Sequence, residues 1–185
     1  AEDTSSITVI EECFVGLTRL HEETSAIPGS RALVSRLHEE TSALDPGMAT
    51  KWDISADGKT YTFKLPEKLP WVRYNPETKT VEQVKDDKGA VRYLTAKDFV
   101  YGYTRALDPA TGSSAAFMLA PYVVGGEDFN AKKAGPEKLG LKAVDDLTFE
   151  ITAPEKVGFA LQMYSIINSR AVPQWNIEKN GDAWT

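Results

Sequence analysis

One cysteine, two histidines and no long apolar run leave this 185-residue chain short of the residue types on which much protein chemistry rests. With Cys13 alone, no disulfide can close within the chain. That thiol falls in an apolar helical stripe with no activating neighbour, so it reads as a small packed residue rather than a nucleophile. No stretch approaches the roughly 20 apolar residues that cross a bilayer as a helix. No charged-then-apolar leader opens the chain at Ala1, and we expect a mature or trimmed chain. Basic residues are outnumbered, 21 against 27, for a net charge of −6 and a pI near 5.0. No basic block is present, which argues against a partner held by its phosphates, such as a nucleic acid. The G-x-S-x-G elbow of a serine hydrolase is missing, and Gly125-Gly126 runs into acidic residues that would repel a phosphate. An enzyme is not expected. What is present, 42% hydrophobic and 26% charged residues, suits a folded domain with its own core.

Both histidines lie in a duplicated octapeptide, RLHEETSA, whose copies begin at Arg19 and Arg36. His-Glu-Glu is the start of the zinc motif H-E-x-x-H. That motif needs a second histidine one helical turn later so that two imidazoles meet one ion. Ser25 and Ser42 occupy those positions, so both copies are incomplete, and neither a metal nor another cofactor is expected. Two units are also too few for a solenoid. The segment 19–43 reads instead as a duplicated strand and turn, in which either copy could fill one structural place.

Periodicity sets out the rest. Ile7, Ile10, Phe14 and Leu17 have helical spacing. KWDISADGKTYTFKL reads as a hairpin about Asp57-Gly58, with Trp52, Ile54, Tyr61, Phe63 and Leu65 on one buried face. VEQVKDDKGAVRYL reads as a polar, protruding hairpin turning at DDKG. Thr95 and Asp98 form a capping box ahead of a helix with Phe99, Val100, Tyr103 and Leu107 in one stripe, stopped by Asp108-Pro109. LGLKAVDDLTFEIT is a further hairpin turning at Asp145-Asp146. VGFALQMYSII is an apolar helix, and a short amphipathic helix begins at Pro173. Tight turns between strands imply antiparallel pairing and an α+β fold, and no Pro/Gly/Ser-rich linker divides residues 1–185, so one domain is expected.

Taken in order, CFVGLTRL, LDPGMATKWDISADGKTYTFKL, LTAKDFVYGYTRALDPATGSSAAFML, LGLKAVDDLTFEIT, VGFALQMYSII and AVPQWNIEKNGDAWT are similar to the extracytoplasmic solute-binding proteins of the peptide, oligopeptide and nickel ABC importers, family 5. Nearly the whole chain takes part, apart from the duplicated insert and the polar hairpin. The resemblance implies a mixed, mainly antiparallel sheet with packed helices, part of a class C periplasmic-binding-protein-like fold. It also implies that the chain is a fragment covering mainly the side domain of the first of two lobes. The implied function is capture of a peptide-like solute outside the cytoplasmic membrane, in the periplasm or extracellularly, and delivery to an ABC permease. A lipid anchor on the longer parent would fit. The alternative is an excised or altered structural or interaction domain that binds no small molecule itself.

The resemblance also points to a ligand-contacting stretch. Family members often carry Ser-Pro-Tyr-Ala after Asp-Pro, with the aromatic facing the ligand. Here Ala115 stands where the tyrosine would be, which makes Ser114, Ala115 and Phe117 the candidate binding residues, with Phe117 as the substitute aromatic. The family's short K-W-S-D-G-x-P turn is replaced by Pro70–Tyr74 and the polar hairpin. Independently of any family, Trp52, Trp71, Tyr74, Tyr101, Tyr103, Phe117 and Tyr122 are aromatic enough to line a groove, although core packing explains any one of them as well.

Overall fold

A computed structural model describes residues 48–165, 169–181 and 184 of the chain. The first expected helix with Cys13, both RLHEETSA copies, His21 and His38 lie outside the described residues.

Strands β1 (Lys51–Ile54) and β2 (Thr60–Lys64) form the expected hairpin. Its turn needs a left-handed residue, and Gly58 supplies one at φ +73°. Asp57 accepts the Lys59 backbone N–H at 3.1 Å, which closes the corner. Tyr61, Phe63 and Leu65 are buried as their alternation requires. Trp52, opposite Phe63, packs partly against the same core. Ile54 departs from the expected buried face and is 48% exposed. It ends an outer strand, where a side chain has neighbours on one side only.

Strands β5 (Leu141–Asp145) and β6 (Thr148–Thr152) form the second expected hairpin, and β6 pairs with β2. The resulting sheet is fully antiparallel in the order β1-β2-β6-β5. At its turn the Asp145 carboxylate accepts the Thr148 hydroxyl at 2.7 Å and the Leu147 N–H at 2.8 Å. Those donors, the hydroxyl foremost, hold the Asp145 carboxyl below the usual carboxylate range. A lowered folded value means stability that is present above the usual range and lost as pH falls through the folded value. Asp145→Asn is therefore expected to be less stable than the parent near pH 6, with the gap closing towards pH 2. Urea unfolding at both pH values checks this, and a gap that does not change with pH would sink it.

Helix α1 (Ala96–Leu107) crosses β5 and β6. Its start is the expected box: Asp98 accepts from the Thr95 backbone N–H at 2.8 Å and from the Thr95 hydroxyl at 3.0 Å. Phe99, Tyr103 and Leu107, four residues apart, are fully buried, and Val100 packs beside them. The centre of the core is Phe149 of β6. It stacks with Phe99 at 5.7 Å and Phe63 at 6.3 Å and meets Tyr103 edge-on at 5.4 Å. The α+β, mainly antiparallel architecture is the one expected.

The polar hairpin is paired differently from the expectation. Strands β3 (Val72–Asn75) and β4 (Thr80–Gln83) pair with each other in a separate two-stranded sheet. The DDKG turn does form, with Gly89 at φ +83° and its N–H donating to the Asp86 carbonyl at 2.9 Å. Beyond it, however, the flanks meet at a single bridge, Lys85 with Val91. The strand 80–83 pairs with 72–75 across the connection 76–79 in a ladder of four residue pairs. The expected exposure holds over most of the segment, with Val81, residues 87–90 of the turn and Tyr93 exposed, while Leu94 at its end is buried.

Short helices complete the unit: α2 (Gly126–Asn130), α3 (Ala160–Met163) and α4 (Gln174–Asn180), the last starting after Pro173 as expected. The apolar helix expected over 157–167 is helical over 160–163 among the described residues.

Candidate functional site

Asp108-Pro109 ends α1, as a residue before proline tends to do, and the chain continues as three short 3-10 turns over 109–111, 116–118 and 120–122. The Asp108 carboxylate accepts the Ala110 N–H at 2.8 Å and stiffens the first turn. Ala116, Leu119 and Ala120 point into the core and hold the stretch down. The intervening side chains face outward. Phe117 is 71% exposed, Met118 and Ser114 are exposed, and Ala115 is half-buried. A large apolar ring held out from a well-anchored backbone is what a ligand-facing residue requires.

The far end of this stretch is tied to the core through tyrosines. Tyr164 donates its hydroxyl to the Tyr122 carbonyl at 2.7 Å, and Tyr103 donates to the Tyr164 carbonyl at 3.1 Å. Burial pushes both phenols well above their usual range, so they remain neutral donors at any ordinary pH. Tyr122 also meets Phe159 edge-on at 5.6 Å, and Phe159 is itself half exposed.

The aromatic residues singled out in the sequence divide by environment. Tyr103 is fully buried and belongs to the core, the alternative that the sequence left open beside a groove role. The reason is its place in the α1 stripe, one turn from both Phe99 and Leu107. Trp71 and Tyr74 do line a groove, of about 700 Å³, together with two tryptophans that periodicity did not single out, Trp175 and Trp184. Phe117 and Tyr122 do not line it. The buried Trp71 indole N–H is turned toward Asp98 without closing a regular hydrogen bond. Burial raises the Asp98 carboxyl, against the lowering effect of its Thr95 and Trp71 donors. Among the described residues no three His, Cys, Asp or Glu side chains gather as a metal would need. No helix among them is long and apolar enough to cross a membrane.

Comparison with known proteins adds a family to this geometry. The profile of the bacterial extracellular solute-binding proteins, family 5 (middle region), matches residues 43–185. The periplasmic oligopeptide-binding protein OppA of Salmonella typhimurium is 34% identical over 141 residues, 76% of this chain and 23% of that protein. The dipeptide-binding protein DppE of Bacillus subtilis is 38% identical over 114 residues, 60% of this chain and 18% of that protein. Among solved structures, an oligopeptide-binding protein from Borrelia burgdorferi superposes with a TM-score of 0.73 at 29% identity, covering 100% of this chain and 30% of that one. The chain thus spans about a fifth of the length of these two curated relatives.

Proposed function

Since the chain belongs to the bacterial extracellular solute-binding proteins of family 5, we propose that it is part of the substrate-binding component of an ABC importer. In this reading residues 1–185 form one α+β unit, mainly the side domain of the first lobe, with the duplicated strand-turn segment at 19–43. The whole protein captures a peptide-like solute in the periplasm or at the cell surface, tethered by a lipid where the parent carries one. It then hands the solute to a permease. Capture is an equilibrium: two lobes close on the ligand, main-chain hydrogen bonds hold an extended peptide, and no bond in the solute is made or broken.

The observation that carries the reading to particular residues is Phe117, an exposed ring on a backbone anchored by Ala116 and Leu119. Ser114 and Ala115 flank it and present small surfaces past which a peptide backbone can run. Burying the exposed part of Phe117 against a ligand is worth about 1–2 kcal/mol.

The test is calorimetric titration of the two-lobed protein that carries this chain, with tri-alanine and tri-leucine as probes. Binding is expected, and Phe117→Ala should weaken tri-leucine about tenfold while leaving the near-ultraviolet circular dichroism unchanged. No binding of either peptide would overturn the peptide reading. Unchanged affinity in Phe117→Ala would remove that residue from the site while leaving the family assignment standing.

A further inference from the structure

The groove between the β3–β4 hairpin and α4 is not used by the peptide reading, since Ser114, Ala115 and Phe117 do not line it. Its composition is unusual for a surface. Trp71, Trp175 and Trp184, three of the chain's four tryptophans, share it with Tyr74, and Pro70 and Pro173 add flat apolar wall. Its volume, about 700 Å³, is within the range of small-molecule sites.

Charge narrows the occupant. No carboxylate is among the described lining residues, and the one charged side chain there is Arg73. Arg73 is paired with Glu82 at 3.5 Å on the solvent side, an exposed pair that a ligand carboxylate could exchange at little cost in stability. A second cation, Arg92, lies over the Trp175 ring, 4.8 Å from its centroid, with no carboxylate at ion-pair distance among the described residues. With no carboxylate among its described lining residues, the groove favours an anion over a cation, and the cations at hand are Arg73, paired with Glu82, and Arg92, which does not line the groove itself but lies against Trp175. Guanidinium groups take carboxylates in bidentate fashion, and indole faces take flat apolar bodies.

We infer that this groove binds an amphipathic anion, a flat aromatic or polycyclic body ending in a carboxylate, with the body on Trp71 and Trp175 and the carboxylate toward Arg92 and Arg73. The complementarity is to shape and sign together. A neutral molecule of the same shape gains only the stacking, and a cation is repelled.

Three isosteric probes separate these contributions: 2-naphthoate, 2-naphthalenemethanol and 2-naphthylmethylammonium, titrated into the 185-residue chain while tryptophan fluorescence is followed. The carboxylate is expected to bind about tenfold more tightly than the alcohol, with the ammonium weakest. Trp175→Ala should abolish binding of all three. Arg92→Gln should retain the alcohol and erase most of the preference for the carboxylate. Equal affinity for the three probes, no binding at millimolar concentration, or an unchanged preference in Arg92→Gln would each overturn the inference. Near-ultraviolet circular dichroism reports whether Trp175→Ala has folded. Should it not fold, the charge preference and its loss in Arg92→Gln decide the matter.

Discussion

Phe149→Ala is expected to lower the stability of the chain by about 3–5 kcal/mol, the cost of emptying a fully buried aromatic site. Phe149 is fully buried, and its ring is shared by β2 through Phe63 and by α1 through Phe99 and Tyr103. Removing it takes away the ring contacts between β6 and α1, and three large rings cannot all shift to refill one space. Urea unfolding followed by far-ultraviolet circular dichroism measures the loss. Phe149→Leu, which keeps most of the volume, should cost much less, about 1–2 kcal/mol. A loss under about 1 kcal/mol for the alanine variant would mean that the described rings do not form a close-packed core.

The second large effect has the opposite sign from what helix propensity alone predicts. Gly102 lies inside α1, where replacing glycine with alanine ordinarily stabilises an exposed helix by about 1 kcal/mol. Here a Cβ would stand 1.9 Å from the Arg170 carbonyl oxygen and 3.1 Å from its carbon. The obstacle is backbone, so no rotamer change clears it. α1 and the segment 170–172 would have to separate, straining the contact where the Val172 N–H reaches the Asp98 carbonyl at 3.4 Å. Gly102→Ala is expected to cost about 2–3 kcal/mol net, the upper part of the range for overpacking. Gly158 has nothing within 4 Å of the corresponding position, so Gly158→Ala serves as the control and should change stability by less than about 0.5 kcal/mol. An equal or greater stability for Gly102→Ala would refute the close approach of the two segments.

These two residues show how unevenly the sequence revealed the structure. Phe149 belongs to an alternating run, and alternation is enough to place it on an inward face. Nothing around Gly102 in FVYGYTRAL distinguishes it from a tolerated helical glycine, because the chain that crowds it is nearly 70 positions away. The hairpins at Gly58 and Asp145 and the capped helix at Thr95 were legible because each is decided by residues a few positions apart. The pairing of β3 with β4 was not. Its strands are largely polar and exposed, so no hydrophobic pattern in the sequence marks which segments pair.

The candidate site divides in the same way. That a small-residue stretch follows Asp-Pro is written in the letters. That Phe117 faces outward while Leu119 faces inward depends on how the short 3-10 turns lie against the core. The tryptophan groove was half legible. Trp71 and Tyr74 were marked as aromatic candidates, but Trp175 and Trp184 enter only because α4 folds back beside the β3–β4 hairpin.

By itself, then, the sequence determined the α+β class, the two core hairpins, the capped helix and the family, since these rest on local periodicity, turn chemistry and an ordered series of short matches. Tertiary structure alone decided that Gly102 admits no side chain and that Trp71 meets Trp175 and Trp184, far along the chain, in one groove. Each of those facts is a contact between distant segments, and the free energy of such a contact is carried by shape and burial, which a linear pattern does not encode.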